Sequence, residues 1–424
     1  MTLIAGSSAS STGKNRSSMA TAMTLTAVIG GSALLSACGG SGGGDGTGNQ
    51  ETGACSAFDC QAMLENVADN VVIPAMIDFE ARANHLESAV SAWRADQNND
   101  TLKQEARQAW NDAMDAWQRV EVMQTGPLTD NSSLLRDSIY SWPSTSTCAV
   151  DQEVIEAEEQ GDNYDISART PLRKGLDALE YILHTDTLEH TCASNVTKTS
   201  SWNGRTDSER LSARLAYAQA AGEDVHRQSL SVVERWGTGT GNFRDELVNA
   251  GSGGSRFNTS QEAVNAVSDA LFYVEKQVKD IKLAEPLALK GDKCEQGTSA
   301  CAEFVENPIS ARSKEHLRQN ILAFQRVFLG NSADGSEGLG FDDLIDAVNG
   351  DNVSAAMETD INEVLIAIDN LGDRSLKEAV TDSNGVNLAK GVHESTKKVT
   401  DRLKNDFLQV LGLSIPAAAA GDGD

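Results

Sequence analysis

The chain has 424 residues, with 35 Lys and Arg against 62 Asp and Glu, for a formal net charge of −27. No basic run offers phosphates a footprint, so nucleic acid is excluded as a partner. The length suffices for two ordinary domains once a leader is set aside.

The leader comes first. Lys14 and Arg16 form a positive start, and residues 19–33 are a mildly apolar run too short to span a bilayer. Leu35-Ser36-Ala37-Cys38 then reads as a lipobox, so residues 1–38 are expected to be a lipoprotein signal with lipidation at Cys38. Met19 is an alternative start. Residues 39–54, rich in Gly and Ser, suit a flexible tether. No other run is long and apolar enough to cross a membrane. The expected location is the bacterial cell envelope, outer membrane or periplasm, with membrane contact through the lipid anchor only. Six further cysteines in an exported chain suggest disulfides. Cys55 with Cys60 and Cys294 with Cys301 would close local loops, leaving Cys148 with Cys192, though sequence alone leaves other connectivities open. A zinc cluster is disfavoured because no C-x-x-C occurs.

Ala, Leu, Glu and Gln dominate the long segments, and strand-like alternation is scarce, which predicts an all-α protein. Residues 58–97 carry Met63, Val67, Val71, Met76, Phe79 and Leu86 at roughly helical spacing, with Pro74 expected to kink or divide the helix. A helix over 101–123 places Trp110, Met114, Trp117 and Val120 or Glu121 on one stripe and stops at Gly126-Pro127. A short helix over 134–140 ends at Trp142-Pro143, and an acidic helix covers 151–160. A long helix is expected over 206–236. Residues 237–258, rich in Gly, Ser and Asn, read as a link, with 243–248 able to form a helical turn. Helices follow over 259–284, 310–329, 341–348, 352–371, 375–380 and 388–413. Two helical halves, 55–240 and 259–415, suggest two helical bundles.

Residues 170–184 read TPLRKGLDALEYILH. Thr170 is an N-cap candidate, and Pro171 suits the first helical position. Leu172, Leu176, Leu179 and Leu183 recur on one face; Arg173, Asp177, Glu180 and His184 recur on another. Asp177 and Glu180 are three apart and project from the same side. On these residues alone the helix is either a solvated surface, with Arg173 pairing Asp177, or one wall of a site.

The run from Gly175 to Glu180 resembles the G-x-H-x-x-E signature of the imelysin family, with Asp177 where that family has His. Further stretches resemble the family in its order. They are Ala109-Trp110 through Ala116-Trp117 with Glu121 and Gly126-Pro127, and Ile139-Tyr140-Ser141-Trp142-Pro143. Lys282-Leu283 with Pro286-Leu287 follows, then Ser310, Ser313, Asn320-Ile321 and Leu329-Gly330. The resemblance implies an iron-regulated bacterial surface or periplasmic protein of two helical bundles, with its site in the cleft between them. It also implies kinship with proteins classed as metallopeptidases, many of them linked to iron or haem uptake.

By the same resemblance, Asp177 and Glu180 are site groups, with Glu121, Arg119 and Trp142 as nearby ligand-binding residues. Asp in place of imidazole would shift a metal site at Asp177 and Glu180 towards harder ions, such as ferric iron or another divalent or trivalent metal. Catalytic residues stay unassigned. The six His include no pair four apart, no general base stands out, and no G-x-S-x-G occurs. Binding of iron, haem, or a small-molecule or peptide ligand is therefore the leading expectation, and an imelysin-type metallopeptidase is the alternative. His184 and Tyr181 are the candidate axial groups for haem. Trp110, Trp117 and Trp142 could line the site, although aromatic residues at helical spacing are more often core. Glu223 and His226 form a lone E-x-x-H, which reads as a solvated face or an ordinary hydrogen-bonded His because di-iron bundles need two such motifs and two more Glu.

Overall fold

The helices start where a side chain can satisfy their first free amides. In the computed structural model, which describes residues 53–238, 241–291, 293–295 and 298–416, Asp59 caps α1 (Cys60–Asn66) by accepting from the Ala62 amide. A wide, π-type turn over Val67–Val72 leads into α2 (Ile73–Ala95). Pro74 sits in the first turn of α2, where its missing N–H costs nothing, so it divides the segment. Asn99 caps α3 (Asp100–Glu121), and α4 (Asp130–Ile139) and α5 (Thr147–Gln160) follow. The signature helix is α6 (Gly175–His184). A capping box of Thr206 and Glu209 opens α7 (Asp207–Val233). The lipobox, Cys38 and residues 39–52 of the tether lie outside the described residues.

After α8 (Phe243–Val248) come α9 (Ser260–Leu271) and a π-type helix over Val274–Ala284. Next are α10 (Ser313–Leu329), α11 (Phe341–Ala347), α12 (Asp351–Asp369), α13 (Leu376–Ala379), α14 (Ser383–Arg402) and α15 (Leu408–Leu411). Every regular element among the described residues is helical, so the fold is all-α.

In the first half, α2 lies along α3 and α7, and α6 packs between α3 and α7. In the second, α14 packs on α12 and on Val274–Ala284. The contact between α3 and α10 joins the two groups, and the buried apolar residues form one continuous cluster across them. Trp110 and Trp117 belong to that core, as their helical spacing suggests. The Gly-rich stretch between the halves does more than connect them. Its α8 packs on α1, and the Phe243 ring stacks edge-on against Trp236 at 4.8 Å. Gly126 (φ +54°) admits that ring, since a Cβ there would lie 2.6 Å from it. The disulfides are Cys55–Cys60, Cys148–Cys192 and Cys294–Cys301, the pairings the spacing suggests.

Candidate functional site

The signature helix starts later than its sequence suggests. Residues 171–173 form a 3-10 turn, Lys174 is extended, and Gly175 adopts φ +86°. A Cβ on Gly175 would sit 2.6 Å from the Ile139 carbonyl oxygen, so only glycine lets α6 abut the end of α4. Leu172 therefore leaves the expected apolar face and is 36% exposed. Arg173 pairs with Glu153 at 3.1 Å rather than with Asp177. From Gly175 to Leu183 every residue is buried, so the helix has no solvated side.

Asp177 is 4% exposed. Its Oδ2 accepts from the Ser141 amide at 2.6 Å and the Ser141 hydroxyl at 3.2 Å, while Oδ1 is buried without a partner. Burial pushes its pKa up to about 7, against the Ser141 and Thr145 hydrogen bonds that pull it down; Glu180 nearby adds to the rise. The folded protein thus holds a proton that the unfolded chain, near the ordinary 3.8, releases. The linked stability is full below the unfolded value and is lost as pH rises through the folded one. Asp177→Asn removes this titration. It is expected to flatten the fall in stability between pH 5 and 8 and to leave the variant about 2 kcal/mol more stable than the parent at pH 8. Urea unfolding across that range checks this, and an undiminished slope would assign the proton to another group.

Glu180 is 5% exposed, and its carboxylate is fully engaged by protein. Oε1 accepts from the Ile309 amide at 3.1 Å, the Ser310 amide at 2.8 Å and the Ser310 hydroxyl at 2.9 Å. Oε2 accepts from the Asn307 side-chain amide at 2.9 Å. Burial raises its pKa against these donors.

Behind these two lies a charged cluster that joins α3, α10 and Val274–Ala284. Lys282 Nζ, 2% exposed, stands 2.9 Å from Glu306 Oε1, and donates to Gln118 Oε1 at 2.5 Å and Asn320 Oδ1 at 2.9 Å. Glu121 lies 3.8 Å from it and accepts from Tyr273 at 2.8 Å. Glu306 also accepts from Gln118 at 3.1 Å and from Tyr140 at 2.8 Å, with His316 Nδ1 at 3.5 Å. Burial works to raise the Glu306 pKa, but Lys282 and His316 outweigh it and hold it at about 2. Glu121 moves the other way, raised by burial against the pull of Lys282.

This polar interior meets solvent at a cleft of about 280 Å³. Ser141, Trp142, Pro143 and Leu172 line one wall; Gln277 and Ile281 line the other, with Arg136 and Asp137 at the rim. Ser141 thus links the cleft to Asp177.

Of the residues expected at the site, Asp177, Glu180 and Glu121 gather in the buried network, and Trp142 lines the cleft. Arg119 does not join them. It faces α2 and α10, bound to Asp78 at 2.5 Å and Gln319 at 2.8 Å. Tyr181 donates to Asp151, and His184 packs edge-on against Trp110 at 4.9 Å; neither lines the cleft. Burial, then Arg107 and Arg312, lowers the His184 pKa to about 4. His226 bridges Glu87 at 2.6 Å and Glu80 at 3.1 Å, whereas Glu223 accepts from Gln219. The sequence assigned no roles to Tyr140, Ser141, Lys282, Ser310 and Asn320, although all lie in the family-like stretches. Glu306 and Asn307 carried no signal.

As a metal site the pair Asp177 and Glu180 fits poorly in this arrangement. Four protein hydrogen bonds occupy Glu180, and among the described residues no three His, Cys, Asp or Glu side chains cluster to hold an ion.

A family model described as Imelysin (Peptidase_M75) matches residues 73–403. Iron-regulated protein A of Synechococcus elongatus is 23% identical over 285 residues, 67% of this chain and 68% of that protein. An imelysin-like protein from Psychrobacter arcticum superposes with a TM-score of 0.64 at 15% identity, covering 85% of this chain and 98% of the other. A candidate iron-regulated protein A precursor from Parabacteroides distasonis gives 0.66 at 15% identity, covering 86% and 97%. These two likenesses speak to the fold.

Proposed function

The chain belongs to the imelysin family, and from that premise we propose that it is an iron-related binding protein. It is held in the bacterial cell envelope by a lipid on Cys38 and takes a small iron-carrying ligand at the Trp142 cleft. The observation that carries this reading is the engagement of Glu180. Its oxygens serve the 307–310 loop, which favours binding over metal-dependent cleavage at the signature helix. The cleft offers an indole and a proline beside Arg136, Ser141 and Gln277, a mix of apolar wall and few polar groups suited to a small molecule. Among the described residues its lining has no His, Met, Cys or Tyr for axial ligation, which favours a compact iron chelate over haem.

Titration of the mature chain with ferric citrate and with a ferric hydroxamate chelate, followed by tryptophan fluorescence, tests it. Saturable binding is expected, weakened roughly tenfold or more in Trp142→Ala. Chelator-sensitive cleavage of an unstructured peptide, lost in a folded Glu180→Gln variant, would overturn it in favour of an imelysin-type metallopeptidase.

A further inference from the structure

A second opening lies beside the loop that precedes α6. Its volume is about 410 Å³, larger than the Trp142 cleft, and Pro171 lines both. Its walls come from the start of α4, the 167–171 loop and the far end of α7. An adjoining hollow of about 230 Å³ shares Asp130 and Arg235 with it and extends to Arg256.

The charge here runs against that of the whole chain. Lys174, 2% exposed, lies 3.0 Å from Asp224, whose other oxygen binds Arg227. Arg169 and Arg173 share Glu153 at 3.0 and 3.1 Å. Arg256 sits on Asp130 and Glu246. Arg235 lines both hollows and bonds to the Ser231 hydroxyl at 3.1 Å; among the described residues it meets no carboxylate. Among the described residues that line the larger cleft, Arg169, Lys174 and Arg235 are cationic and Asp130 is acidic, in a protein of net charge −27. A solvated acidic surface does not produce this local excess.

Two further features lie at this cleft. Arg169, in the cleft lining, has its Nε 3.0 Å from Glu153 Oε1 but out of hydrogen-bond alignment with it. Asn131, which lines the cleft, and Ser132 and Ser133 after it all adopt φ between +52° and +61°. Consecutive left-handed residues cost free energy and persist only where their surroundings fix them. Leu134, next in the chain, lines the cleft and is 48% exposed.

We propose that this cleft is a second ligand site, for a small soluble organic anion with two or more carboxylate or phosphate groups. One group would meet the free guanidinium of Arg235, whose planar fork suits an oxyanion. Another would reach the Arg169 guanidinium and the Lys174 charge, both in the lining. Leu134 and Ala168 provide the apolar contact between them.

Calorimetric titration of the full mature chain with citrate and, separately, pyrophosphate tests the assignment at low salt. At least one probe is expected to bind, and more weakly as salt rises. Arg235→Glu and Leu134→Glu both alter exposed side chains, so each should keep the parent melting temperature. Each should weaken binding roughly tenfold, and Trp142→Ala should not. Failure of both probes to bind at millimolar concentration would overturn the proposal. So would binding indifferent to Arg235→Glu, or binding lost in Trp142→Ala.

Discussion

Lys282→Met is expected to destabilise the protein by about 3–5 kcal/mol, the range for removing one partner of a buried ion pair. The ammonium is 2% exposed on its side chain and serves Glu306, Gln118 and Asn320 at once, with Glu121 beyond. Methionine fills the volume but leaves the Glu306 carboxylate in the interior without its main counter-charge. The pH response should also change sign. In the parent, Glu306 titrates at about 2, below its ordinary 4.5, so its contribution is full above 4.5 and is lost as pH falls towards 2. Without Lys282, burial prevails and the folded pKa rises above the unfolded one. The variant should then lose stability as pH rises through that raised value. Urea midpoints at pH 5 and 7.5 read both effects. Adding Glu306→Gln to Lys282→Met should recover part of the loss, because the two side chains are in contact and do not act additively. A Lys282→Met protein that is unchanged at both pH values would mean that Glu306 is balanced from elsewhere.

Most of the helices were legible because their apolar spacing, caps and stops are local properties. Prolines and glycines mark the ends of α3 and α10, and the Ala-Trp stripe of α3 is buried as its period requires. The start of α6 was not legible, because Thr170-Pro171 is a good cap signal for a turn that the chain then leaves at Lys174 and Gly175. Arg119 was misplaced by one residue of helical rotation. Gln118 and Glu121 are three apart and face the cluster, whereas a step of about 100° turns Arg119 towards Asp78. The burial of Asp177 and Glu180 was invisible for a different reason. Periodicity reads any charged residue as an outward face, and the groups that reconcile Glu180 to the interior lie on a loop 127 to 130 positions away in sequence. In that loop only Ser310 fell in a family-like stretch, and its partners are brought together where α3 meets α10.

Glu180→Ala should cost about 3–5 kcal/mol, chiefly by stripping acceptors from the 307–310 loop. Four donor contacts converge on the carboxylate: the Asn307 amide, the Ile309 and Ser310 backbone N–H groups, and the Ser310 hydroxyl. An alanine leaves them facing a void where the carboxylate stood. Glu180→Gln keeps the volume and one acceptor oxygen for Ile309 and Ser310, and should cost only about 1–2 kcal/mol. Hydrogen exchange gives the local readout: the Ile309 and Ser310 amides should lose protection in the alanine variant and largely keep it in the glutamine variant. If alanine costs less than about 1 kcal/mol, the loop is held by other contacts and Glu180 is free for another task. The same loop carries Asn307, which shares the Tyr140 hydroxyl with Glu306, so its loosening would spread into the Lys282 cluster. A loss of metal or ligand in Glu180→Ala would therefore have two causes, removal of a ligand oxygen or release of the loop. The glutamine variant separates them, because it keeps the loop in place while removing the negative charge that a cation would need.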